Sequence, residues 1–301
     1  MSDADTSNRP VHGEVVVHPL ASVDPAATLG AGTVVEAFAV VGPHVRLGEG
    51  CWVGSHAVLS GNVNAGARNQ FFPFCSVGAL SQDLWSAEDE TWVVMADENV
   101  VRENVTINTG TSKEYGITSL GCRNNIMAGC HIAHDCVIGD GVVMANNVLL
   151  GGHVRIRDNA SVGGAAAVHH FVTIGRRAFV GGLTRVIHDV PPWMLLEGNP
   201  ARVKAVNVIG AERHQLPASS IQALREVYRR LYKRDAQGQR SRLVEELKAS
   251  ADLTPEVAEV LESLTLTSSG CKGRHLERYR TDGHHLDLEA VPDIDRPRRP
   301  A

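Results

Sequence analysis

An all-β solenoid of hexapeptide repeats, followed by a small α-helical C-terminal domain, is the fold that this sequence predicts. Three observations point to it. Apolar residues recur at every sixth position, a small or β-branched residue follows each by four, and aromatics make up only 5 % of the 301 residues while glycines number 29. Neither a 3.6-residue helix nor a two-residue strand alternation gives a period of six by itself. A short strand plus a turn does, with one aliphatic side chain per hexad pointing into the coil and hydrogen bonds running between coils.

Residues 1–14 are polar and aperiodic and are expected to form a flexible arm. The β-helix is expected over residues 15–194. Its ladder runs Val17, Val23, Leu29, Val35, Val41, Leu47, Val53, Leu59, Ala65, Phe71 and Val77, with Ala21, Ala27, Thr33, Ala39, Val45, Cys51, Ala57 and Val63 in the accompanying slot. Residues 79–94 fit no hexad and are predicted to leave the solenoid as a loop, the kind of excursion from a rigid scaffold that carries function. The phase resumes at Met95, Val101 and Ile107, breaks over residues 111–119, and then runs through twelve hexads from Leu120 to Val186, giving 26 hexads. Pro191 and Pro192 end it, because proline cannot donate to an inter-coil ladder.

Residues 195–265 read as a helical domain. Ile221, Leu224, Val227, Tyr228, Leu231 and Tyr232 mark one helical face, with Ser219 or Ser220 placed to cap it. A second helix covers Leu243 and Leu247, and a third opens at Thr254 with Pro255 in its first turn. Such a domain would cover the open β edge at the end of the solenoid. Residues 266–301, rich in charge, proline and histidine, are expected to form a partly disordered tail.

A net charge of −5 gives no global signature of nucleic-acid or membrane binding. No apolar run is long enough for a transmembrane segment, and the start, MSDADTSNRP, lacks the basic and apolar regions of a signal peptide, so a cytoplasmic protein is expected. Four of the six cysteines, Cys51, Cys75, Cys130 and Cys136, occupy the small-residue slot of the repeat and read as buried hydrophobes. There is no CxxC pair to suggest structural zinc.

Histidines break the bland pattern. IMAGCHIAHDCVI, residues 126–138, places His131, His134 and Asp135 within five positions. With three hexads per coil, positions three hexads apart stack at about 4.8 Å. His134 and His153 then fall on neighbouring coils, one step offset, while His134 and His170 share a slot two coils apart, with His131 and His169 close by. Clustering along one edge beside Asp135 and the Gly151, Gly152 pair marks a candidate site. His44, His56 and His188 lack that company and read as surface residues; His284 and His285 sit in the tail.

At these residues the chain resembles the acyl-carrier-protein-dependent UDP-N-acetylglucosamine O-acyltransferases, which catalyse the first step of lipid A biosynthesis. The resemblance rests on HIAHDC (131–136), MANN (144–147), GGHV (151–154), AVHHF (167–171), QDL (82–84), the VREN run and GNPA, and it covers about residues 17–265. It implies a left-handed parallel β-helix, an exception to the usual right-handed crossover, and a homotrimer with active sites between subunits. It makes His134 the general base, Asp135 its support and the Gly152 N–H a donor to the oxyanion. It assigns His131, His153 and His169 to substrate contacts, Asp83 to the sugar, Asn207 and Arg213 to the nucleotide and its phosphates, and Gly182 to the limit of the acyl chain. The implied partners are acyl carrier protein and a UDP-sugar, with no metal or bound cofactor. The basic residues Arg225, Arg229, Arg230, Lys233 and Arg234 would receive the acidic carrier protein.

The chain also departs from the family's pattern. Trp85 stands where a lysine is usual, Ile209 where a glutamate is usual, Asn108 and Thr109 replace a His-Arg pair, and His170 replaces a glutamine. These changes leave open an acyltransferase acting on a modified nucleotide sugar, with an ester or an amide as product. A zinc site like that of the γ-type carbonic anhydrases and a non-catalytic β-helix protein are the other readings of the histidine cluster.

Overall fold

The computed structural model describes residues 13–84, 90–232, 239–250, 253–281 and 285–298. Each predicted hexad becomes one short strand carrying its apolar residue, from Val16–Val17 to Arg185–Val186, and 26 such strands occur among the described residues. They stack into three parallel sheets, the faces of a left-handed β-helix. Val17 pairs with Val35, Val35 with Val53 and Val53 with Phe71, so one coil is three hexads.

The core is the inward column of each face together with the small residues at the corners. Ile126, Ile132, Ile138, Cys130, Cys136 and Val142 are all 2 % exposed or less. Burial raises the Cys51 and Cys130 thiols to about 11 and those of Cys75 and Cys136 to about 12, so at neutral pH these side chains pack as uncharged groups. All six cysteines are free.

Two excursions interrupt the coil. Phe71 pairs with Val101 and Val101 with Ile126, and each of these steps is longer than the regular three hexads. Both excursions end earlier than the hexad phase suggested. Trp92–Met95 already pairs along its length with Asn62–Ala65, and Ile117–Leu120 pairs with Trp92–Met95 in turn. The partner backbone offers these longer strands ladder positions ahead of the apolar residue that sets the phase. Residues 1–12, most of the expected arm, residues 85–89, with Trp85, and His284 lie outside the described residues.

At the far end, Met194–Glu197 continues the first sheet beside Phe179–Val180 and folds back antiparallel onto Arg202–Val206. Helix α1 (Val208–Arg213), which the sequence pattern did not announce, precedes α2 (Ala218–Tyr232), α3 (Arg240–Lys248) and α4 (Pro255–Ser269). Thr254 caps α4 as expected, its hydroxyl accepting from Val257 N. Leu224, Leu231, Val260 and Leu261 pack with Trp193 and Met194, so the helices close the end of the solenoid. No helix among the described residues is long and apolar enough to cross a membrane.

The C-terminal residues correct one expectation. Residues 266–301 are expected to be a partly disordered tail, yet α4 runs on to Ser269 and the described part of 271–298 lies against the solenoid. Two anchors explain this. Leu276, Leu286 and Val291 bury themselves against Phe171. His275 is held between two carboxylates, with Nδ1–H donating to Asp189 at 3.0 Å and Nε2–H to Asp295 at 3.2 Å. Composition hides such a segment, because its charges are neutralised by partners far away in sequence.

Burial opposes charging of His275, but its hydrogen bonds to Asp189 and Asp295 outweigh it and raise the imidazole to about 9. A folded-state pKa above the unfolded value of about 6.5 stabilises fully below pH 6.5, and the contribution disappears as pH rises through about 9. Denaturant unfolding from pH 6 to 10 is therefore expected to show a loss on the order of 3 kcal/mol that His275→Gln lacks. Identical pH profiles for the two proteins would contradict the clamp.

Candidate active site

The site is built at the corner after the strand His131–Ile132. Asp135 takes φ +59°, a left-handed conformation uncommon for a residue with a side chain, as do His153 (+61°) and Phe171 (+63°) in the same slot of the next two coils. Adjacent residues in an extended strand face opposite ways. The left-handed turn removes that obstacle and brings the Asp135 carboxylate back to its own neighbour, so that His134 Nδ1 lies 2.8 Å from Asp135 Oδ2.

Asp135 is completely buried, and every contact holds it as an anion. Oδ1 accepts from Thr111 N at 2.8 Å and Oδ2 from the Thr111 hydroxyl at 2.6 Å. Its own N–H donates to Thr118 Oγ1 at 2.9 Å. Burial by itself would raise this carboxyl. The hydrogen bond from His134, the charges of His153 and His134 and the Thr111 hydroxyl prevail and hold it below the usual carboxylate range. A carboxylate can only accept, so His134 carries its proton on Nδ1, and the Nε2 of the neutral ring is a free base. That nitrogen overlies Gly152: a Cβ there would lie 2.5 Å from it. Glycine is required here by the closeness of the ring. Among the described residues the Gly152 N–H donates no hydrogen bond.

His153 stands edge-on to His134, with centroids 5.0 Å apart, and lies flat on Phe171 at 4.4 Å. Its Nδ1–H donates to Glu114 at 2.7 Å. Arg155, fully buried, ties the group together: it donates to the Asp135 carbonyl at 2.7 Å and pairs with the other oxygen of Glu114. Sequence reasoning missed Thr111, Glu114 and Arg155. Glu114 sits in an aperiodic excursion, and Arg155 occupies a slot shared by Val137 and Thr173 outside the apolar column of the repeat, so no periodic signal marks either one.

The other expected site residues are placed as follows. His131 lies close enough to His134 that, after burial, the latter's charge contributes to lowering its pKa; its Nδ1 is 2.7 Å from the Thr106 hydroxyl. His169 pairs with His170, rings 3.8 Å apart, and burial, His169 and Arg274 push His170 down to about 4. Asp83 receives the Lys113 ammonium from the second excursion. Asn207 caps α1, accepting from Gly210 N at 3.0 Å and donating to the Arg177 carbonyl at 2.9 Å; Arg213 ends the same helix. A Cβ at Gly182 would have only Gly164 within 4 Å.

His134, Asp135 and His153 offer donor atoms within 4.8 Å of one another, a set that could surround a cation. Both ring Nδ1 atoms are already spent on carboxylates, which suits the handling of a proton better than coordination through those atoms. A cavity of about 640 Å³ lies between the solenoid, α4 and residues 292–298; its lining includes Arg157, Arg176 and Glu259 but neither His134 nor His153.

Residues 189–273 match the family model described as UDP N-acetylglucosamine O-acyltransferase, domain 2, and residues 117–152 match that of the bacterial transferase hexapeptide (six repeats). The acyl-[acyl-carrier-protein]–UDP-N-acetylglucosamine O-acyltransferase of Leptothrix cholodnii is 50 % identical over 217 residues, which are 72 % of this chain and 82 % of that protein. The protein of the same name from Syntrophobacter fumaroxidans is 42 % identical over 260 residues, 84 % of this chain and 98 % of its own length. Among solved structures, LpxA from Acinetobacter baumannii gives a TM-score of 0.78 at 33 % identity, over 82 % of this chain and 95 % of that one. The UDP-N-acetylglucosamine acyltransferase from Campylobacter jejuni gives 0.77 at 30 %, over 83 % and 96 %. With half of the aligned residues identical across most of both chains, and the same solenoid and helical end, the chain belongs to the acyl-[acyl-carrier-protein]–UDP-N-acetylglucosamine O-acyltransferase family.

Proposed function

We propose that the protein moves a (3-hydroxy)acyl group from an acyl carrier protein thioester to the 3-hydroxyl of UDP-N-acetylglucosamine, the first step of lipid A biosynthesis, with His134 as the general base. The observation that carries this reading is the Asp135–His134 pair, with the free Nε2 poised over Gly152. His134 Nε2 takes the hydroxyl proton as the sugar oxygen bonds to the thioester carbonyl carbon. The Gly152 N–H donates to the oxyanion that forms. Collapse breaks the C–S bond, and the proton held by His134 goes to the departing thiolate. Asp135, an anion throughout, stabilises the imidazolium between the two transfers.

Around this centre, His131, His153 and His169 contact the substrates, Asp83 binds the sugar, and Asn207 and Arg213 hold the nucleotide and its phosphates. Gly182, without a side chain, leaves room for a long acyl chain. The working unit is a homotrimer with its sites between subunits. On α2, Arg225, Arg229 and Arg230 are exposed, and Arg229 pairs with Glu226 at 2.6 Å, leaving the face net basic for the acidic carrier protein. Lys233 and Arg234 lie outside the described residues.

Purified protein incubated with acyl carrier protein thioesters and UDP-sugars should form a 3-O-acyl ester on UDP-N-acetylglucosamine. Transfer only to a 3-amino analogue would show that the sugar assignment is wrong and the product is an amide, and no transfer to any UDP-sugar would defeat the reading. His134→Ala is expected to lower kcat by about 10²–10⁴. Gly152→Ala, which drives a methyl group into the His134 ring, should lower kcat by at least ~10² with little change in the melting temperature. Reversing Arg229 and Arg230 to Glu should raise KM for the acyl carrier protein thioester about tenfold and leave UDP-sugar binding unchanged; equal losses in both would remove α2 as the docking face.

A further inference from the structure

Residues 285–298 do more than cover the solenoid. The family model of the C-terminal domain ends at residue 273, so this segment lies beyond it. Its contacts converge on the second excursion, residues 110–116. The Leu286 N–H donates to the Lys113 carbonyl at 2.9 Å, a main-chain bond made to the tip of the excursion. The Tyr115 hydroxyl donates to the Leu288 carbonyl at 3.0 Å. At its roots the excursion is held by Thr111, through Asp135.

The tip carries two charged residues, Lys113 and Glu114, only 8 % and 5 % exposed. Lys113 reaches Asp83, and Glu114 accepts the Nδ1–H of His153. A second route runs through Arg155. Its Nε–H donates to the Asp295 carbonyl at 2.8 Å while the rest of the guanidinium holds Glu114 and the Asp135 carbonyl. A third is apolar: Leu286 and Val291 pack on Phe171, and Phe171 lies flat against His153. Three contacts from one segment thus reach the same imidazole, two of them through Glu114 and one through Phe171.

We propose that residues 285–298 form a positioning strap for the acyl-transfer site, holding Glu114 and Phe171 so that His153 is fixed beside the His134–Asp135 pair. The proposal rests on the acyltransferase reading for its catalytic consequence only. A histidine with one nitrogen on a carboxylate and its face on a rigid ring has one tautomer and one orientation. Freed of the strap, the excursion tip would be hydrated, Glu114 would exchange its partners for water, and His153 would be drawn to Asp135, whose Oδ2 is already 3.9 Å away and is needed by His134.

The test uses the full chain with Leu286→Asp and Val291→Asp to undock the strap, Glu114→Gln to break the relay inside it, and all three together. Strap release is read by amide hydrogen exchange of residues 285–298 and 111–116. Undocking should lower kcat about tenfold, Glu114→Gln should do the same, and the combination should lose no more than either alone, because both act through one imidazole. Losses that multiply to about a hundredfold, or an unchanged kcat with the strap exchanging freely, would overturn the proposal. If the undocked variant does not fold, Glu114→Gln alone decides, and an unaffected kcat overturns it. If the unmodified protein transfers no acyl group, the functional reading fails separately. The strap is then judged by the His153 Nδ1–H resonance and by protection of residues 111–116, both lost on undocking if it positions the site and both retained if it does not.

Discussion

The buried carboxylate of Asp135 is the interaction on which the rest of the site depends. An unpaired anion at zero exposure would be prohibitively unfavourable. It exists here because Thr111 supplies a backbone N–H and a hydroxyl and His134 supplies a ring N–H. The same contacts define chemistry: the proton that satisfies Asp135 is the one that fixes the His134 tautomer. Stability of the corner and readiness of the proposed base are therefore one arrangement. The left-handed turn that creates it recurs at His153 and Phe171, so the solenoid stacks three useful side chains by repeating a single backbone conformation.

The regularity of the β-helix makes this precision possible. Every coil is registered on the next by strands that repeat every three hexads, so a residue's slot fixes its height and its direction. Among the described residues two insertions break the hexad phase, and they meet each other through Asp83 and Lys113. The first brings Asp83, and the second brings Thr111, Lys113 and Glu114. A scaffold that cannot bend places groups that come from parts of the chain that are free to vary.

Much of this was legible in the sequence. The six-residue ladder specifies strands, coil length and core, and counting by three hexads puts His134 and His153 on neighbouring coils. The small-residue slot identifies Cys130 and Cys136 as core. What escaped has physical reasons. The resemblance implied that Asp135 supports His134, but residue patterning alone did not, because the pairing depends on a positive φ that alternation rules do not foresee. Arg155 lies outside the apolar column of the repeat, and its contacts are with Glu114 of an excursion and with a segment far along the chain, around Asp295. That segment itself reads as partly disordered, since three spaced apolar residues and a histidine between two acids leave no periodic trace. Asn207 illustrates a further limit, because its capping of α1 depends on a helix too short to show a pattern.

The central claim, that Asp135 holds His134 with its base at Nε2, is tested most directly by ¹⁵N NMR of protein labelled at histidine. The account predicts that the neutral His134 ring carries its proton on Nδ1, in a hydrogen bond to Asp135 that disappears in Asp135→Asn. A His134 ring protonated on Nε2, or one whose tautomer is indifferent to Asp135→Asn, would contradict it.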